Sequence, residues 1–183
     1  MARSRRATAP PSGSPPAGVG LAPTPSLASA ILPRVWQGLG YRPLPDVAGA
    51  RPLFDFAAVP WPAPDTIAFG WGAFTGGDRL VGALVAESVQ RSAMIHGPVV
   101  TTEDDPLEVA AQLVAAALDH AVALAVETVF TRPSGLDRVW VRFGFIPVPE
   151  STLPDALAGR PGAGLYAWRG GTALWTLRES PRA

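Results

Sequence analysis

Between Ala110 and Ala121 the apolar residues return every three or four positions. Ala110, Leu113, Val114, Ala117, Leu118 and Ala121 fall on one side of a helix, with Glu108, Gln112 and Asp119 on the other. The spacing predicts a helix over 107–124. Asp105 caps it, Pro106 takes the first helical position, and Glu108 sits where a capping box places its acid. Elsewhere strand patterns take over. Thr66–Phe74 (TIAFGWGAF), Arg79–Val89 (RLVGALVAESV) and Ser92–Val100 (SAMIHGPVV) read as three consecutive strands, the first two antiparallel. TGGD between those two is a hairpin turn, because paired glycines tolerate positive φ. Pro98 has no N–H for a ladder, so the third strand is bulged or unpaired on one side at Gly97-Pro98. Glu127–Thr131 (ETVFT) follows the long helix as a strand parallel to the one before it, a β-α-β crossover. Leu136–Phe143 is a second helix stopped by Gly144. FIPVP is another strand, and GLYAWRGGTALWTL a terminal hairpin turning at Gly170-Gly171. Near the start, Ser26–Leu39 predicts a first helix, capped by Ser26, kinked at Pro33 and stopped by Gly38 and Gly40. A short helical turn is expected over Leu53–Ala58.

Composition narrows the class. With 183 residues and 48% hydrophobic content, the chain can bury one core. Residues 1–25 are dominated by Pro, Gly, Ser and Ala and read as a disordered tail; residues 26–178 make a single domain. Formal net charge is zero, and no basic patch interleaves with the aromatics, so nucleic acid is not an expected partner. No apolar run reaches the ~18 residues of a membrane span, and the basic start has no apolar core behind it. The expectation is a cytoplasmic protein with no membrane partner. There is no Cys, which excludes disulfides, thiolate metal sites and a Cys nucleophile. No ligand spacing supports a metal. Tyr166, Trp168 and Trp175 on the terminal hairpin fit either a core or a subunit interface, leaving a homodimer open.

Few residues offer acid–base chemistry. His96 lies beside the Gly97-Pro98 bulge, and imidazole titrates near neutrality, as a general base must. The other reading is a strand histidine with its hydrogen bonds satisfied. Glu87 near the end of the neighbouring strand is either a second base facing the same cleft or an exposed edge charge. His120, late in the long helix, is expected at the surface, as are Arg132, Arg138 and Arg142 unless they meet phosphate.

Two stretches carry a family likeness. Arg138–Pro154 (RVWVRFGFIPVPESTLP) and Gly76–Glu87 (GGDRLVGALVAE), in this order of elements, resemble the GNAT acyltransferase family across about Leu27–Leu177. The resemblance implies an α/β fold: a mixed, mostly antiparallel sheet with helices on both faces. It implies acetyl-CoA lying between two splayed strands, with the backbone of Val99 and Val100 along its arm. The loop of Asp105, Glu108, Val109 and Ala110 then meets the pyrophosphate, with Trp140 and Arg142 of the short helix nearby. His96, or Glu87, becomes the base for a small-molecule or peptide amine.

The loop departs from the family pattern, Gln/Arg-x-x-Gly-x-Gly/Ala. Of Asp105–Ala110 only Ala110 fits. Asp105 replaces a donor, Glu108 replaces a glycine, and Pro106 removes an N–H. A carboxylate about 7 Å from a phosphate charge costs about 0.6–2.4 kcal/mol across effective dielectrics of about 80 to 20. The expectation is that these acids cap the helix and that the cofactor's phosphates are gripped poorly. Trp140 also stands where relatives carry a tyrosine donor, and an indole cannot protonate a departing thiolate. Two functions follow: an N-acetyltransferase moving acetyl from acetyl-CoA to an amine, or a non-catalytic binding or dimerisation module of the same fold.

Overall fold

A computed structural model describes residues 26–159 and 174–177. The segment read as a tail and the turn at Gly170-Gly171, with Tyr166 and Trp168, lie outside the described residues. Among the described residues are strands β1 (Arg34–Trp36), β2 (Leu39–Pro43), β3 (Ile67–Phe74), β4 (Leu80–Val89), β5 (Ser92–Val100), β6 (Thr128–Thr131), β7 (Phe145–Pro147) and β8 (Trp175–Leu177). They form one sheet in the order β1-β2-β3-β4-β5-β6-β8-β7. Every pairing is antiparallel except β5 with β6, the two joined by the long-helix crossover. The helices are α1 (Leu27–Ala30), α2 (Arg51–Phe56), α3 (Pro106–Ala123) and α4 (Asp137–Arg142).

The N-terminal helix is far shorter than its sequence promises. Ser26 Oγ accepts from the Ser29 N–H at 3.3 Å, so the expected cap forms. The helix then stops, because Pro33 disfavours helical geometry in the residue before it. The remainder of Ser26–Leu39 makes β1 and the entry to β2, with Trp36 opposite Leu39. Gln37 (φ 47°) and Gly38 (φ 76°) form the two-residue turn between them. Positive φ at both positions matches the twist of the flanking strands, so Gly38 is a hairpin residue and not a helix stop. The TGGD turn forms as expected, but its left-handed residue is Asp78 (φ 65°), not a glycine. Gly76, Gly77 and Asp78 make a three-residue loop, closed by the Thr75 N–H donating to the Arg79 carbonyl at 2.9 Å.

The two faces of the sheet bury different things. On one, α3 packs Leu113, Val114 and Ala117 against Trp71, Leu84 and Ile95, and Trp140 of α4 joins that core. On the other, Phe54 of α2 covers Val85 and Val99. Leu153, Leu157 and Leu174 cover Met94 and Phe130.

β5 carries the bulge its Pro98 foretells. Ala83 faces Val99 and Val85 faces His96, so Gly97 and Pro98 together oppose Leu84. Gly97 has φ +90°, and a Cβ there would lie 3.1 Å from the Ala83 carbonyl oxygen and 3.2 Å from Phe54 Cζ. Only glycine fits both the conformation and the space. The parallel ladder between β5 and β6 runs from Ser92–Thr128 to Ile95–Thr131 and goes no further. At its last rung the Thr131 hydroxyl donates to the Ile95 carbonyl at 3.0 Å. Beyond that rung the strands part.

Candidate functional site

Where β5 leaves β6, a cleft of about 220 Å³ opens. Pro98, Val99 and Val100 form one wall, Ser134, Gly135 and Leu136 the opposite wall, and Ala57, Val59 and Pro106 the ends. Val99 and Val100 pair with Ala83 and Gly82 of β4 on one side, and have lost β6 on the other. Their outer edge is a short strand edge facing the cleft, suited to hydrogen bonding an extended amide chain. Among these lining residues Ser134 has the one polar side chain. Pattern reading found Val99 and Val100 but not the opposite wall. Ser134–Leu136 carries no periodicity, and only its position between β6 and α4 brings it here.

The tip of α3 lies next to Pro106 and is closed. Asp105 caps it from a left-handed conformation (φ 43°), its side chain accepting from the Glu108 N–H at 3.4 Å. The Asp105 carbonyl accepts from the N–H of both Glu108 and Val109 at 3.1 Å. Pro106 has no N–H, so of the first three helical positions only Leu107 keeps one uncommitted to the cap. Glu108 does not reach back as in a capping box. Its carboxylate accepts from Arg142 Nη1 at 2.8 Å and from Gln112 Nε2 at 2.9 Å. Those hydrogen bonds, Arg142 first, hold Glu108 below the usual carboxylate range. Arg138 and Arg142 line a smaller groove of about 160 Å³ beside Asp105, Leu107 and Glu108. The field of these acids reaches the buried Tyr41. Its phenol is pushed above its ordinary value, by burial first and then by Glu108 and Asp105.

Glu87 is not an edge charge: it is completely buried and meets His96. Glu87 Oε2 lies 2.7 Å from His96 Nε2. The pair is a diagonal contact across β4 and β5, on the face turned away from α3. With Nε2 donating to the carboxylate, Nδ1 is the basic nitrogen. His96 is only 7% exposed and does not line the cleft, although Pro98, two residues on, does. Arg132, expected in solvent, is largely covered instead. It bonds Glu150 at 2.6 Å and approaches Met94 Sδ at 3.6 Å, on the Glu87–His96 face.

Other expectations fall away from the site. The Trp140 ring is fully buried, edge-on to Phe145 with centroids 4.9 Å apart, and has no route to the cleft. Val109 and Ala110 point into the core beneath α3. His120 is buried, not at the surface. It stacks on Phe69 at 4.2 Å and accepts the Trp71 indole N–H at Nδ1, 3.2 Å away. Burial lowers its pKa. Among the described residues no three His, Asp or Glu side chains are placed to share a metal, and no helix is long and apolar enough to cross a membrane.

The architecture is that of an α/β protein in which, among the described residues, one parallel strand pair opens into a cleft beside a bulge. Solved structures share this architecture. It is similar to N-acetylglutamate synthase from Neisseria gonorrhoeae complexed with coenzyme A and N-acetylglutamate, with a TM-score of 0.57 at 16% identity, covering 77% of this chain and 35% of the synthase. The same synthase complexed with coenzyme A and L-arginine gives 0.53 at 13%, covering 75% and 33%. A GNAT-family acetyltransferase from Staphylococcus aureus gives 0.48 at 11%, covering 59% and 65%. The chain thus spans about a third of the synthase and just under two thirds of the staphylococcal enzyme. No protein-family model and no curated protein matches the sequence. The chain has the GNAT acetyltransferase fold, and at these identities the likeness is one of fold alone.

Proposed function

We propose that the chain is an N-acyltransferase that seats an acyl thioester in the β5–β6 cleft and passes the acyl group to an amine. The cleft beyond Ile95 and Thr131, with the free strand edge of Val99 and Val100, carries this reading. That the Neisseria synthase is complexed with coenzyme A and an acetylated amine supports the donor and acceptor classes.

In this reading, backbone groups of Val99 and Val100 bond the amides of the donor's arm and fix the thioester carbonyl. When bound, the thioester supplies the acyl carbon: a C–N bond forms to the amine as the C–S bond breaks. The amine must lose a proton and the sulfur must gain one. His96, held by Glu87, takes the first through a water on the cleft side of the Gly97-Pro98 kink. Ser134 hydrogen-bonds the departing thiolate, which takes its proton from solvent at the open mouth of the cleft; buried Trp140 cannot reach it.

Calorimetric titration with acetyl-CoA tests the cleft. Micromolar binding is expected, and silence at millimolar ligand rejects the reading. His96→Ala should abolish transfer to an amine, and unchanged turnover removes His96 from the mechanism. Ser134→Ala should lower kcat about tenfold or more with KM unchanged.

A second reading is a binding module without turnover. The burial of Glu87 and His96, away from the cleft lining, favours it. Thioester binding with no transfer to any of a panel of amines would select it.

A further inference from the structure

Coenzyme A has two chemically distinct halves: a neutral pantetheine arm ending in the thiol, and a nucleotide bearing a diphosphate. The residues here fit the first and not the second. The cleft is apolar, open on one strand edge and free of charged side chains among its lining residues. Past Pro106 the surroundings reverse. Asp105 and Glu108 line the neighbouring groove with Arg138 and Arg142, and Glu103 and Asp104 precede them in the chain. Arg142 is already committed to Glu108 at 2.8 Å. Few of the N–H groups that a helix start offers to an anion are left: Pro106 has none, Asp105 takes that of Glu108, and Leu107 alone keeps one. Glu108 stays ionised because Arg142 and Gln112 bond its charged form. The phenol of Tyr41 is pushed up by burial first and then by the charges of Glu108 and Asp105.

We propose that the donor of this protein is an acyl-pantetheine thioester recognised through its arm alone, and that the nucleotide half of coenzyme A is left unbound. This deepens the acyltransferase reading and rests on it. The carboxylates do more than cap α3. They exclude a diphosphate from the end of the groove where the fold would place one, so a donor whose arm is attached to something other than a nucleotide loses nothing.

Calorimetry on the full chain decides it, with acetyl-CoA, acetyl-pantetheine and ADP as separate probes. The two thioesters should bind within about threefold of each other, and ADP should neither bind nor compete. Acetyl-CoA affinity should barely change as salt is raised, since no phosphate is paired. Acetyl-CoA binding about tenfold or more tighter than acetyl-pantetheine, or competition by ADP, overturns the inference while leaving the cleft reading intact. No heat from either thioester rejects the cleft reading itself and the inference with it. The double substitution Asp105→Gln, Glu108→Gly supplies a second measurement. It should tighten acetyl-CoA about tenfold and leave acetyl-pantetheine unchanged. Equal gains for both ligands, or no gain in a folded variant, show that the carboxylates do not select between the halves.

Discussion

The two ends of the groove meet at Pro106 and are built in opposite ways. The end beside Val99 and Ser134 is open because a ladder stops: β5 and β6 are joined up to Ile95 and Thr131, and backbone edge is then left over. The end beside Asp105 is narrowed because most of its polar groups are engaged. Asp105 holds the helix N–H groups, and Arg142 and Gln112 hold Glu108. A helix start is a ready anion site only while its first N–H groups have no better partner. Here the chain provides its own anions, in Asp105 and Glu108.

α4 serves both ends: the segment leading into it provides Leu136 to the open one, and its last turn provides Arg142 to the narrowed one. Removing the anchor of α4 should therefore damage both. Trp140→Ala leaves a large void against Phe145 and should cost about 3–5 kcal/mol, read as a fall in the denaturant midpoint. If stability falls but thioester binding and the Glu108 titration both persist, α4 is not their shared support.

Ser134→Trp acts on the open end alone. Ser134 is exposed, so the fold should tolerate the change while the indole fills the cleft. Acetyl-pantetheine affinity should drop at least about tenfold with the melting temperature nearly unchanged. Retained affinity would place the ligand elsewhere.

His120 belongs to neither end and provides a control on the fold. Burial lowers its folded pKa from the ordinary 6.5. Its contribution is complete above 6.5 and is lost as pH falls below that, because the unfolded chain then binds a proton that the folded chain refuses. Melting temperature should decline from pH 6.5 downward, and His120→Gln, which keeps an acceptor for Trp71, should flatten the decline. An unchanged slope in the variant assigns it to other groups.

The smallest effect is expected from Arg142→Ala. The Arg142 side of the ion pair it breaks is exposed, so the stability loss should stay at about 1 kcal/mol or below. The informative readout is Glu108, whose titration by NMR should move up toward the ordinary carboxylate value. A static titration would mean that Gln112 alone holds that charge.

Much of this was legible along the chain. The i, i+3, i+4 apolar pattern fixed α3 to within a residue at each end, since one stripe must face the sheet. Pro98 announced the bulge, because a missing N–H is a local fact. The acids at 105 and 108 announced a capped tip for the same reason. The first helix failed because Pro33 and a left-handed Gln37–Gly38 turn outweighed helical propensity in a segment too short to resist them.

The sequence by itself determined where the backbone is interrupted, where an apolar face must find cover, and which charges stand at the helix start. These follow from single residues or fixed periods. Only the tertiary structure decided that Glu87 and His96 meet in burial, that His120 turns inward onto Phe69 and Trp71, and that Ser134 faces Val99 across a cleft. Those relations join residues far apart in the chain, and their distances come from strand register and divergence, which no local pattern encodes.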